Sequence, residues 1–194
     1  EVTEDDLETI REQVTELVTF TTTQKDKESL GLIDRAKRLG TFIQQGTPPN
    51  ILDNYSPEMA TWINQAIADA QFEIIACEDS LDEIYIDAEW YQKLRIVLNL
   101  HFSEYGKYKE QLKAGDSDKE LKDQINLGLQ KRYEQSYLEK FSAIVTVTTQ
   151  ERRIVKKLEP ESSITVIPNG VDLTKFPRRI TNQGGQRIVF VGNM

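Results

Sequence analysis

Ala143-Ile144-Val145-Thr146-Val147-Thr148-Thr149-Gln150-Glu151-Arg152 changes character half-way along. The run from Ala143 to Val147 is apolar or β-branched throughout and reads as a buried strand, whereas Gln150 to Leu158 carries a helical pattern that Pro160 closes. A further short run, Ile164-Thr165-Val166-Ile167, follows at once. Working outward, Phe72 to Cys77, Ile96 to Leu100 and Ile188 to Val191 are runs of the same kind, and helical patterns lie between them. Strand alternating with helix predicts an α/β fold, a parallel sheet flanked by helices in the Rossmann-like manner.

The helices are marked by their starts and stops. Ser56-Pro57 supplies an N-cap and a residue whose fixed φ suits the first turn, and Met59, Ile63 and Ile67 continue at spacing four. Leu121, Ile125, Leu129, Tyr133 and Tyr137 form a stripe expected to face the core. The charged stretch from Lys107 to Arg132 reads as a solvated helical face around a turn at Ala114-Gly115-Asp116. A helix is expected over Leu81 to Tyr91 and another over Leu32 to Ile43, ending at Gly46-Thr47-Pro48-Pro49. Near the start, Thr3 and Asp6 cap a helix whose buried face is Leu7, Ile10 and Val14, and Leu17 to Phe20 reads as a short strand.

Bulk composition narrows the function. With 194 residues, 38% hydrophobic and 29% charged, the chain can bury one α/β core. A net charge of -8, with Lys and Arg scattered among acids, repels phosphate backbones and argues against nucleic acid as a partner. Cys77 is the single cysteine, so no intrachain disulfide forms, and its apolar surroundings predict a buried small hydrophobe in a cytoplasmic protein. No stretch approaches the roughly 20 apolar residues of a membrane span, so any peripheral membrane contact lacks a signal. Both ends read as cut, since the chain begins at Glu1 and stops just after an apolar run.

In an open parallel sheet, ligands bind beyond the carboxyl ends of the strands. Those ends lead into Glu78-Asp79-Ser80, into His101-Phe102-Ser103-Glu104, into Thr148-Thr149 and into Pro168-Asn169-Gly170, which predicts one common rim. His101, the sole histidine, is the catalytic candidate, because an imidazole at the rim donates or accepts a hydrogen bond to a reacting hydroxyl or phosphate. A loop histidine satisfied by a backbone carbonyl is the plainer alternative. Glu78, Asp79, Ser103, Thr149, Asn169 and Gly170 are the substrate-binding candidates. Glu78 and Asp79 suit ligand hydroxyls or the orientation of His101, against which stands simple helix capping by Asp79 and Ser80. Metal ligation is not expected, as no second His or Cys adjoins these acids. Asn169-Gly170 also reads as a sharp turn on steric grounds.

The order and spacing of Ala143 to Thr148, Gln150-Glu151-Arg152, Ile164 through Pro168-Asn169-Gly170-Val171-Asp172 with Phe176, and Ile188-Val189-Phe190-Val191-Gly192 resemble the interdomain crossing of glycosyltransferase family 4. Asn54 to Met59, the strand into Glu78-Asp79, and Leu98-Asn99-Leu100-His101 with Glu104 are similar to one bacterial branch of it, which usually has Asp-x-His-Asn where this chain has Asn99 and Phe102. The resemblance is strong after Ser56 and faint before. It implies a GT-B architecture in which residues 1–172 are an incomplete acceptor-side domain, 173–187 a linker and 188–194 the first strand of the donor-side domain. It implies transfer of a sugar from a nucleotide-sugar donor to an acceptor, with retention of configuration and without a tightly bound metal or other cofactor. On this view the present piece is inert alone, and Ile188 to Val191 frays, packs as an edge or pairs with another copy of the chain. A non-catalytic α/β binding or regulatory module, with the rim acids and His101 merely capping helices, is the competing expectation.

Overall fold

The computed structural model describes residues 3–21, 37, 40, 42–44, 46–69, 72–87, 89–90, 93–115 and 120–175. Helices α1 (Glu4–Arg11), α2 (Pro49–Asp53) and α3 (Pro57–Ala68) precede strand β1 (Ile74–Cys77). A 3-10 helix (Ser80–Tyr85) leads to β2 (Arg95–Leu100), then α4 (Glu104–Ala114) and α5 (Glu120–Leu138) lead to β3 (Ala143–Thr146), and α6 (Thr149–Leu158) leads to β4 (Ile164–Val166). The four strands are parallel in the order β1-β2-β3-β4. The expected α/β, Rossmann-like layering is therefore present.

Register sorts the strand residues onto two faces. Cys77 pairs with Leu98, Leu98 with Ile144, and Leu100 with Thr146, and all five side chains are buried. Against them pack Tyr133, Tyr137 and Leu138 of α5, Val155 and Leu158 of α6, and Phe141. The alternate residues form a half-covered face: Ile74 and Ala76 are exposed, while Val97, Asn99, Ala143 and Val145 are only partly buried. The runs expected to be buried strands are thus fully buried on one side only.

Local signals explain the helix ends. Ser56 Oγ accepts from the Met59 N–H at 3.3 Å with Pro57 in the first turn, as the sequence predicts, and Ser56 N–H donates to Tyr85 Oη at 2.8 Å. Tyr85 in turn donates to the Asn54 carbonyl and stacks on Tyr55, which pins α3 to the 3-10 helix. Gly115 closes α4 in the left-handed conformation at φ 74°, where a side chain would be strained. Burial drives the Cys77 thiol up to about 12, with the nearby acids Asp82 and Glu78 adding to the effect, so it packs as an inert apolar group.

Several expectations are corrected. The Thr3–Asp6 capping box does start α1, yet the helix buries nothing, and Ile10 and Val14 are exposed. Residues 17–20 form no strand, because a strand needs a paired backbone and they have none among the described residues. Leu81 to Tyr91 yields a 3-10 helix that ends at Tyr85. A short helix begins at Pro49 where a loop was expected. The stripe on α5 is buried only in its second half, since Leu121 and Ile125 are exposed. Gly170 has no positive φ, and the chain reaches its next turn only at 173–175, where Asp172 Oδ1 accepts from Thr174 N at 2.9 Å. Most of the helix expected over Leu32 to Ile43 and the whole of Ile188 to Val191 lie outside the described residues.

Candidate functional site

Alternation along the strands carries Ala76 and Glu78, Asn99 and His101, Val145 and Val147, and Thr165 and Ile167 toward the half-covered face. At the carboxyl ends of the strands Glu78, Asn99, His101, Val145, Val147 and Ile167, with Pro168, Asn169 and Gly170, line a cleft of about 370 Å³. That size lies within the range of small-molecule sites, about 300–1,000 Å³. Asn99 Nδ2 donates to Glu78 Oε1 at 2.8 Å across β1 and β2. The Glu78 backbone N–H donates to Asp82 Oδ2 at 3.0 Å, so both the main chain and the side chain of Glu78 are held. His101 is exposed in the same cleft, opposite the Pro168-Asn169-Gly170 segment. Polar groups thus line one end, and Val145, Val147, Ile167 and Pro168 give the other an apolar wall.

The sequence profile described as Glycosyltransferase Family 4 matches residues 15–175. The chain belongs to glycosyltransferase family 4. Comparison with curated proteins and with solved structures returned no match.

In this family 4 chain the predicted rim residues divide into two groups. Glu78, His101, Asn169 and Gly170 share the cleft. Asp79 faces the helix layer instead, lining a separate cavity of about 170 Å³ with Ser80, Glu104 and Glu134, and it accepts from Ser80 Oγ at 3.0 Å. Ser103 is buried as the N-cap of α4, its Oγ accepting from Gly106 N at 2.9 Å and donating to Glu134 Oε2 at 2.5 Å. Thr149 sits exposed in the first turn of α6, outside the cleft, and Thr148 is the capping residue there.

Two polar residues that carry this geometry were not among the candidates. Asn99, an amide inside an otherwise apolar strand, is the partner of Glu78, and its polarity in a run of aliphatic residues is the signal for it. Glu134 lies between Tyr133 and Tyr137 and one turn before Leu138, a charge within an apolar arc. It is only 2% exposed and also accepts from Tyr105 N at 2.7 Å, which ties the start of α4 to α5. Burial pushes its carboxyl up to about 7, outweighing the hydrogen bonds from Ser103 and Tyr105 that favour the charged form. A second buried acid, Glu83, accepts from Tyr133 Oη at 2.6 Å and pairs with Lys140, so its charge is compensated. Among the described residues there is no group of three or more His, Cys, Asp or Glu able to hold a metal, and no helix is long and apolar enough to cross a membrane.

Proposed function

We propose that the cleft binds the acceptor of a sugar transfer from a nucleotide-sugar donor, with retention of anomeric configuration, in the protein that carries this domain. The carrying observation is the meeting of Glu78, Asn99, His101 and Asn169 at the carboxyl ends of parallel strands, where such sheets bind ligands. In the reaction, the bond from the anomeric carbon to the donor phosphate oxygen breaks and the nucleotide diphosphate leaves with the electron pair. The anomeric carbon bonds to the acceptor oxygen, and the acceptor hydroxyl passes its proton to the departing phosphate oxygen. The imidazole of His101 is the group in the cleft suited to hold a hydroxyl on the face from which the phosphate leaves or to stabilise charge at the reacting sugar. The described lining residues include no Lys or Arg. The donor diphosphate is accordingly held by groups other than these.

His101→Ala in the intact transferase is expected to lower kcat at least about tenfold, a conservative bound against the roughly 10²–10⁴-fold that a positioned acid or base contributes. Steady-state kinetics decide it: unchanged turnover removes His101 from the site. The anomeric configuration of the product, read by proton NMR coupling constants, tests retention separately.

A further inference from the structure

We propose that Glu78, oriented by Asn99, makes this cleft selective for an uncharged or amino-bearing hydroxylated acceptor and excludes phosphorylated ones. The inference rests on reading the cleft as the acceptor site, and it concerns which acceptors that site admits.

Glu78 is exposed at the end of β1, yet it is not free to swing, because Asn99 Nδ2 holds Oε1 at 2.8 Å and Asp82 holds the Glu78 N–H at 3.0 Å. Asn99 comes from the neighbouring strand, where its half-buried backbone is fixed by the ladder with β1 and β3. A carboxylate with one oxygen held in this way presents the other to a ligand at a defined place, and a carboxylate accepts from hydroxyl or ammonium groups. It repels a phosphate brought into the same cleft. Among the described residues no cation pairs with Glu78, and none lines the cleft to offset that repulsion. Asn99 matters because it is neutral: it donates to Glu78, whereas a carboxylate in its place would repel it.

The sole histidine provides the readout, since His101 shares the cleft and gives one set of imidazole NMR signals. Glucose, glucosamine and glucose 6-phosphate are titrated separately into the chain. Glucose and glucosamine are expected to shift the His101 signals saturably, glucosamine at least as tightly, and glucose 6-phosphate about tenfold more weakly or not at all, a gap in the range that one charge contact produces. Glu78→Gln keeps the size and the contact with Asn99 and is expected to bring glucose and glucose 6-phosphate within about threefold of each other. Backbone amide spectra that overlay away from the cleft establish that the variant folds. Glucose 6-phosphate binding as tightly as glucose overturns the proposal. So does a preference that Glu78→Gln leaves unchanged, and so does failure of all three probes to move His101. None of these outcomes touches the transferase reading itself, which stands or falls on the turnover of the intact His101→Ala enzyme.

Discussion

The two faces of the sheet share four strands and one hydrogen-bonded ladder, yet they do different work. On one face Leu98 is 0% exposed, between Cys77 and Ile144 and beneath α5 and α6. On the other, Ile74 is 56% exposed and Val97 and Asn99 are only partly covered. Covering releases apolar surface from water and stabilises the fold, while the partly covered face leaves polar side chains such as Glu78 and Asn99 within reach of a ligand. Neighbouring residues on one strand should therefore respond very differently to the same truncation. Leu98→Ala opens a cavity in the packed layer and is expected to cost about 3–5 kcal/mol, whereas Val97→Ala is expected to cost about 1 kcal/mol or less. Urea unfolding of the two variants at one pH measures both, and equal losses would erase the distinction between the faces.

The covered face also holds a carboxylate, which gives the comparison a pH dependence. Glu134 titrates near 7 in the fold against an ordinary 4.5, with burial as the leading cause. The folded chain binds that proton more tightly than the unfolded one, so the stabilisation is complete below the ordinary value and is lost as pH rises toward 7. At about 1.4 kcal/mol for each pH unit of displacement, the loss is on the order of 3 kcal/mol. Burial raises Asp82 and Glu151 as well, so they act in the same sense. Unfolding free energies from pH 5 to pH 8 should fall for the native chain and fall less for Glu134→Gln. Parallel curves would mean that Glu134 is solvated when charged.

How far the sequence reveals these faces depends on the kind of signal. Largely apolar runs located β1 to β4 within a residue or two, and Ser56-Pro57 located a helix start, because each is a local chemical statement. Coverage is not local. Ile74 and Ile96 sit in similar runs, but only Ile96 lies beneath a helix layer, and Leu121 and Tyr133 share one stripe although only Tyr133 reaches the core. The site divides in the same way. Strand ends pointed to Glu78, His101, Asn169 and Gly170 together, but the alternation that sends Glu78 to the cleft sends Asp79 to the helix side. Glu134 is contributed by a helix far along the chain and joins Ser103 only through tertiary packing.

The smallest expected effect probes how tightly the covering layer itself is packed. Where α4 approaches α6, a Cβ added at Gly106 would stand 2.8 Å from Ile154 Cδ1 and 3.4 Å from Ser103 Cβ. Taken alone, that approach disfavours Gly106→Ala. Two considerations oppose it: the closest atom is the tip of a flexible, partly buried side chain, and alanine is favoured over glycine in a helix, by about 1 kcal/mol in an interior and by less at Gly106 in the first turn of α4. With Ile154 turning its terminal methyl aside, the two contributions nearly cancel, and the unfolding free energy should change by less than about 1 kcal/mol. A loss of several kcal/mol would mean that Ile154 cannot turn, and that the helices over the buried face are as rigidly interlocked as the strand residues beneath them.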